Sequence, residues 1–345
     1  MLSLRLFLTN RCNMRCTYCQ VKNDGATISW PELQTYLKKN RSFLLENISS
    51  VNVLGGEPCL EFDLLENLVI LLRGVLGFDR RITMYTNASL IGSYDAGFLE
   101  ENGIKVVISL DGVKQYNDQE RILGGSTSSQ FDSALKAIDL FDREKLHIHC
   151  TITKKNIEGL PDFFDFLTAE GIRSVGLFPA DYVYWSKRDA FGLGSQLEQL
   201  LPAFKDKLHF GGLSWLLRQK TSGRRKCDRL YVGANGRFYV CKCFSTLTPE
   251  VAGRLEIGSL EEGIDFKKRD KQLQCLYEKV TELEQTLIDY ESLKEISAYI
   301  YCPINIMLNA TYNDYDTARW LRSYYRMMTA FISPFLSLLE KENDC

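Results

Sequence analysis

Histidine is nearly absent from this chain, with three in 345 residues. None stands beside the clustered cysteines described below, so a tetrahedral zinc site there has no nearby imidazole to complete it. No uncharged apolar run reaches the length of a membrane-spanning helix. The N-terminal stretch Met1 to Leu8 is apolar but lacks both a basic leader and a small-residue cleavage site, and it runs straight into a cysteine motif, so it does not read as a removable signal. An excess of one charge is missing as well. The 42 Lys and Arg against 44 Asp and Glu leave a formal charge of -2, which gives no electrostatic reason to expect nucleic acid or an anionic membrane as partner. The local run Arg224-Arg225-Lys226 reads as solvated surface. There is no low-complexity segment and no repeat beyond the strand-helix period.

What is present is ordinary for a soluble globular protein, with 45% hydrophobic and 25% charged residues, enough for one large or two modest domains with a core. The exception is cysteine. Eleven thiols, an odd count, in a large chain without a signal argue for a reducing, cytoplasmic setting. Metal ligation is then the default reading for the clustered ones, and inert thiols for the isolated Cys59, Cys150, Cys275 and Cys345. Cys12, Cys16 and Cys19 form a C-x3-C-x2-C run. It supplies three thiolates to a cluster that takes four, leaving one metal open to an exchangeable ligand. Thiolate-only ligation selects an iron-sulfur cluster or zinc.

Short β-branched and apolar runs alternate with helical patterns through the first half of the chain, which predicts an α/β fold with a parallel sheet. The strands are expected over Leu2 to Leu8, Ser50 to Leu54, Arg81 to Tyr85, Lys105 to Ser109, His147 to Thr151 and Ser174 to Phe178. Helices are expected over Pro31 to Leu45, Asp63 to Leu76, Ser129 to Phe141 and Leu160 to Glu170. The polar motifs follow the strands: the cysteines after the first, Gly55-Gly56-Glu57-Pro58 after the second, Thr86-Asn87 after the third, Ser109-Leu110-Asp111-Gly112 at the fourth. In parallel βα architectures that end builds the site. The glycines of Gly-Gly-Glu-Pro would let the backbone approach a ligand closely. The repeat is expected to stop near Asp181. A helical insertion over Gln196 to Lys220, a hairpin with an Asn-Gly turn at Asn235-Gly236, and long helices over Asp265 to Ser297 and Asn313 to Leu339 follow.

The run Cys12 to Cys19 resembles the signature of the radical S-adenosylmethionine (SAM) superfamily. That resemblance implies a three-cysteine 4Fe-4S cluster whose open iron chelates SAM, inside a partial (β/α)6 barrel over residues 1–180. It places Tyr18 by the adenine and makes Gly55, Gly56, Glu57 and Pro58 the motif for the SAM amino group. Asn87, Ser109 and Asp111 would contact the methionine and ribose portions, and Arg121 would lie near the carboxylate. Read alone, Asn87, Ser109 and Arg121 are equally loop-capping and surface-pairing residues. Gly236 to Cys241, following Cys227, is similar to the element that opens the SPASM and shorter twitch extensions, which bind auxiliary 4Fe-4S clusters, and Cys302 in Cys302-Pro303-Ile304-Asn305 fits the late ligand. The full SPASM array of further cysteines is missing. One auxiliary cluster on Cys227, Cys241, Cys302 and Cys243 is therefore expected, with Cys243 alternatively a spare thiol, a hydrogen-atom donor, or a ligand displaced by Cys275. The implied domains are a barrel over 1–180, a linker over 181–226, an auxiliary-cluster domain over 227–309 and a terminal helix over 310–345.

By this resemblance the chain cleaves SAM reductively and abstracts a hydrogen atom from a ribosomally made peptide, cross-linking, epimerising or excising part of it. The cysteines begin so close to Met1 that recognition of a leader peptide would fall to a separate protein, to Asp181 to Lys226, or to the C-terminal helices. An external flavodoxin or ferredoxin would donate electrons. A dehydrogenase or epimerase acting on a small molecule is the alternative enzyme, and a non-catalytic iron-sulfur carrier the alternative of another class. A carrier has no use for Gly55 to Pro58.

Overall fold

Runs such as Leu4-Arg5-Leu6-Phe7-Leu8 and Val51-Asn52-Val53 are suited to strands largely buried on both faces, and such strands pair in parallel. The computed structural model describes residues 1–125, 128–181, 183–211, 227–287, 303–312 and 315–343. Strands β1 (Leu2–Thr9), β2 (Ile48–Gly55), β3 (Arg81–Thr86), β4 (Ile104–Ser109), β5 (His147–Ile152) and β6 (Ser174–Pro179) all begin and end within two residues of the limits expected from sequence.

The intervening helices are α1 (Trp30–Lys39), α2 (Arg41–Asn47), α3 (Phe62–Ile70), α4 (Ser93–Glu101), α5 (Lys114–Glu120), α6 (Gln130–Ile138) and α7 (Leu160–Ala169). α3 buries Leu64, Leu65, Leu68 and Val69 on one face. α6 starts where Ser129 Oγ accepts the Asp132 N–H at 3.0 Å, a capping bond that satisfies an otherwise orphaned donor. The single helix expected over Pro31 to Leu45 is broken at Asn40. Its side-chain amide donates to the Tyr36 carbonyl at 2.8 Å, and its backbone turns away at φ -105°, ψ 29°. Asparagine offers the chain a local alternative to the helical ladder.

The chain makes two compact units that interleave in sequence. One comprises Met1–Ser109, Arg121–Leu146 and Cys227–Cys275; the other comprises Leu110–Glu120, His147–Lys226 and Leu276–Cys345.

In the first unit β1 to β4 are parallel neighbours in order. Strand β8 (Arg229–Val232) lies parallel on the other side of β1, pairing Ser3 with Arg229 and Leu6 with Val232. The expected hairpin is present: β8 pairs antiparallel with β9 (Arg237–Tyr239). The turn spans Gly233 to Gly236, closed by the Gly236 N–H on the Gly233 carbonyl at 2.9 Å. Gly236 takes the left-handed conformation at φ 72°, so the Asn-Gly pair closes a four-residue turn instead of forming the two-residue one. After α9 (Pro249–Gly253), strands β10 (Glu256–Ser259) and β11 (Gly263–Ile264) extend the sheet, and α10 (Phe266–Gln285) follows, its residues up to Cys275 belonging to this unit and those from Leu276 to the other.

In the second unit β5 and β6 are parallel, and the strand-helix alternation does not stop at Asp181 as expected. Helix α8 (Lys187–Phe204) starts at a capping box, Ser186 N–H to Asp189 Oδ2 at 2.9 Å and Asp189 N–H to Ser186 Oγ at 3.2 Å. It delivers the chain to a further parallel strand, β7 (His209–Gly211), beside β6. The helix expected over Gln196 to Lys220 thus starts earlier and ends at Phe204; residues 212–226 lie outside those described. Helices α11 (Pro303–Tyr312) and α12 (Thr317–Asn343) complete this unit. In α12, Tyr324 and Tyr325 are buried, whereas Trp320 stacks on the exposed Tyr315 at 4.8 Å. No described helix is long and apolar enough to cross a membrane. The architecture is α/β, a parallel-sheet core with a C-terminal extension.

Candidate functional site

Cys12, Cys16 and Cys19 occupy the loop that leaves the C-terminal end of β1. The loop is tied shut at its base: Thr9 Oγ1 reaches the Ala26 carbonyl at 3.0 Å and Thr27 Oγ1 at 2.9 Å, and the Asn10 N–H donates to the Ala26 carbonyl at 2.7 Å. Its far side is pinned to residues 122–124 through Arg15 N–H to Ile122 carbonyl and Gly124 N–H to Asn13 carbonyl, each at 2.8 Å. Cys12 and Cys16 are half-buried and Cys19 is exposed. Cys12 Sγ accepts the Met14 N–H at 3.4 Å. Burial pushes the Cys12 thiol up to about 11, partly countered by that bond.

Gly55 and Gly56 are indeed required for close approach, but their near neighbour is this loop. A Cβ on Gly56 would lie 2.0 Å from the Arg11 carbonyl oxygen, and one on Gly55, at φ 138°, would lie 2.2 Å from that of Thr9. Backbone bonds seal the contact: Gly56 N–H to Thr9 carbonyl at 2.7 Å and Glu57 N–H to Arg11 carbonyl at 2.8 Å. Pro58 begins the turn that follows, with the Glu57 carboxylate capping Cys59 N–H at 3.0 Å.

That carboxylate is buried and turned inward. It accepts Thr86 Oγ1–H and Asn87 N–H, both at 2.7 Å, and burial raises its pKa against the pull of those donors. Asn87 in turn donates through Nδ2 to Asn13 Oδ1 at 2.9 Å, inside the cysteine loop. A continuous polar chain thus runs from Glu57 through Asn87 to the residue after Cys12. Gln130, buried at the start of α6, spans two strand ends, donating to the carbonyls of Asn87 at 2.7 Å and Ser109 at 3.4 Å. Arg121 is buried with its guanidinium 5.7 Å from the Tyr18 ring centroid, within cation-π range.

Asp111 belongs to the second unit. Its Oδ1 accepts the Thr151 N–H at 2.8 Å, its own N–H donates to Asn117 Oδ1 at 2.9 Å, and its carbonyl accepts from Asn156 Nδ2 at 2.8 Å. The other residues expected to contact SAM, Tyr18, Gly55, Gly56, Glu57, Pro58, Asn87, Ser109 and Arg121, fall in the first unit with the cysteine loop. Sequence reasoning missed Asn13 and Gln130. Asn13 sits inside the cysteine motif itself, and Gln130 directly follows the helix-capping Ser129.

The distal cysteines flank the β8–β9 hairpin. Cys227 precedes β8, and its carbonyl accepts Arg269 Nη2 at 2.6 Å. Cys241 and Cys243 follow β9 and are buried. The buried Tyr231 hydroxyl is raised chiefly by desolvation, and both Cys227 and Cys241 act on it electrostatically, so these two thiols share its neighbourhood. Cys275 is exposed on α10, and Cys302 lies outside the described residues. Among the described residues no three His, Cys, Asp or Glu side chains converge as a closed metal-binding group. The donor set in the β1 loop, soft thiols alone with a backbone N–H directed at Cys12 Sγ, is the chemistry that suits an iron-sulfur cluster.

Residues 6–167 match the family model described as the radical SAM superfamily. An uncharacterised protein of Methanocaldococcus jannaschii is 27% identical over 255 residues, 71% of this chain and 86% of that protein. A GTP 3',8-cyclase of Pelotomaculum thermopropionicum is 32% identical over 143 residues, and the chain spans 42% of that cyclase's length and 39% of its own. Of solved structures, anSMEcpe with bound AdoMet and Cp18Cys peptide superimposes with a TM-score of 0.76 at 19% identity, covering 99% of each chain. At that identity the likeness is one of fold.

Proposed function

Residues 6–167 are a radical SAM domain, and from that premise we propose that the chain is an enzyme holding a 4Fe-4S cluster on Cys12, Cys16 and Cys19 and acting on a ribosomally made peptide. When bound, the cluster and SAM supply a 5'-deoxyadenosyl radical that abstracts a hydrogen atom from carbon. The chain's own residues hold and shield that chemistry. The tied base of the loop fixes the three thiols on one backbone segment, and Asn13 carries that positioning to Asn87 and the buried Glu57. Tyr18 and Arg121 offer a ring and a cation side by side, suited to an adenine and a carboxylate. Asn87 and Ser109, held at their strand ends by Gln130, are the polar groups for the rest of the cofactor. Asp111 fixes the end of β5 through Thr151. Cys227, Cys241 and Cys243, with Cys302, are the ligands we assign to one auxiliary cluster, and the compartment is cytoplasmic.

The observation that carries the peptide reading is the end-to-end likeness to a structure with bound AdoMet and a peptide. A separate recognition protein and a flavodoxin or ferredoxin donor are part of the same proposal. A small-molecule substrate is the second reading, and the identity to a GTP 3',8-cyclase favours it. The test is anaerobic incubation of reconstituted protein with SAM and dithionite. 5'-Deoxyadenosine should form in the unmodified chain and vanish on replacing Cys12, Cys16 and Cys19 by alanine; its absence from the unmodified chain sinks the enzyme reading. A panel of peptides encoded beside the gene, scored by mass change, separates the two substrates.

A further inference from the structure

Lys22, three residues past Cys19, makes two contacts that the function above does not use. Its backbone N–H donates to the Ser245 carbonyl at 3.3 Å, and its ammonium donates to the Leu247 carbonyl at 2.9 Å. Both acceptors belong to one tight turn that hangs from Cys243. The Cys243 carbonyl accepts the N–H groups of Thr246 and Leu247 at 3.0 and 3.2 Å and the Thr246 hydroxyl at 2.8 Å. Phe244 of the same turn is wedged between Phe7 of β1, at 5.1 Å, and the parallel ring of Tyr239, at 4.2 Å. On the loop side, Cys19 Sγ approaches the Val21 carbonyl at 3.9 Å. That carbonyl shares its peptide unit with the Lys22 N–H. One peptide and two hydrogen bonds therefore link the Cys19 thiol to the Cys243 turn.

We propose that Lys22 is a positioning residue that fastens the N-terminal cysteine loop to the Cys243 turn and places a positive charge that tunes both cysteine sites. The tuning rests on the reading of these cysteines as cluster ligands given above; the tether does not. Lys22 is exposed as a residue, but the bond that holds its ammonium on the Leu247 carbonyl is part-buried, and among the described residues it forms no ion pair with a carboxylate. Its hydrogen-bond partners are neutral carbonyls, so no opposite charge cancels its field at short range. Because that bond is only partly open to water, solvent and salt screen the field in part, and nearby anions still feel it. Thiolate-ligated clusters are anionic, and charge and hydrogen bonding around the sulfurs set their potentials. A cation anchored on the Cys243 turn, by a residue three positions from Cys19, favours the reduced state of an anionic cluster near it.

The test compares Lys22→Met, which keeps length and removes charge, with Lys22→Arg, which keeps charge. Each full-length chain is reconstituted anaerobically and titrated electrochemically with electron paramagnetic resonance detection. The methionine variant should carry the same iron per chain yet shift the reduction equilibrium of at least one cluster toward the oxidised form by about tenfold, which is about 59 mV for a one-electron couple. The arginine variant should recover most of that shift. Wild-type potentials in Lys22→Met overturn the tuning, even if its thermal stability falls. Hydrogen exchange on the metal-free chains reads the tether separately: Lys22→Met should speed exchange of the Thr246 and Leu247 amides and leave β2 and β3 unchanged, and unaltered exchange there overturns it. A wild-type chain that takes up no iron refutes the cluster reading and the tuning together, leaving exchange to decide the tether.

Discussion

Replacing Glu57 by glutamine probes the frame that holds the cysteine loop. The buried carboxylate receives Thr86 Oγ1–H and Cys59 N–H on Oε1 and Asn87 N–H on Oε2. A glutamine that keeps its oxygen at the first position turns its NH2 group on the Asn87 N–H, setting two donors against each other where water does not reach. A buried donor left without an acceptor costs about 1–3 kcal/mol, and under acidic conditions, where the carboxyl is neutral, no charge assistance is lost besides. A destabilisation of about 1–3 kcal/mol follows for Glu57→Gln under acidic conditions. Burial raises the folded-state pKa of Glu57 above its usual 4.5. Its contribution is therefore fully present below the unfolded value and is lost as pH climbs toward the folded one, whereas glutamine does not titrate. The penalty of the substitution should be smaller at neutral pH than at a pH below 4.5. Urea denaturation of the metal-free chains at the two pH values measures both quantities. A penalty that grows with pH refutes the reasoning, because it would mean that the three donors outweigh burial and depress the pKa.

Gly56→Ala should fold yet lose most of its loop iron, since the added carbon meets the Arg11 carbonyl at 2.0 Å and relief by backbone movement costs about 1–3 kcal/mol; iron analysis checks it, and full iron content contradicts it. Gln130→Leu strips the carbonyls of Asn87 and Ser109 of a buried donor and should lower stability by about 1–3 kcal/mol in thermal melts. A change within about 0.5 kcal/mol, the range of surface substitutions, would show the amide to be dispensable. In metal-free protein, Cys12 should alkylate slowly at neutral pH and accelerate as pH approaches about 11, the value set by its burial; peptide-resolved mass spectrometry follows the rate, and rapid neutral labelling of Cys12 excludes the desolvated thiol.

The six parallel strands were legible because each is a short apolar run bounded by glycine, asparagine or charge, a pattern local enough to read without the rest of the chain. Helix ends were less so. Asn40 interrupts a helix whose apolar spacing continues across it, and the seventh strand is three residues long, too short for a period to appear. At the candidate site the residue types were readable but their neighbours were not. Gly55 and Gly56 signalled a close approach, yet nothing in four consecutive letters says that the partner is the carbonyl of Thr9 or Arg11. Asn13, Gln130 and Lys22 act across 74, 43 and 225 positions of sequence respectively. Contacts of that span leave no periodic trace, so a buried amide reads as any loop polar residue until the strands bring its partner to it.

The closed base of the β1 loop bears on how the chain could change over generations. Because Thr9, Ala26 and Thr27 complete their hydrogen bonds across the neck, residues inside the neck can be exchanged or added without unzipping β1 from β2 or β8. Ligand spacing is thereby uncoupled from sheet register. A grafted loop from another cysteine-bearing protein would need to match the neck, the seat of Gly56, the hold on Asn13 and the backbone bonds of Arg15 and Lys22, while the residues between those points vary with the group it must carry.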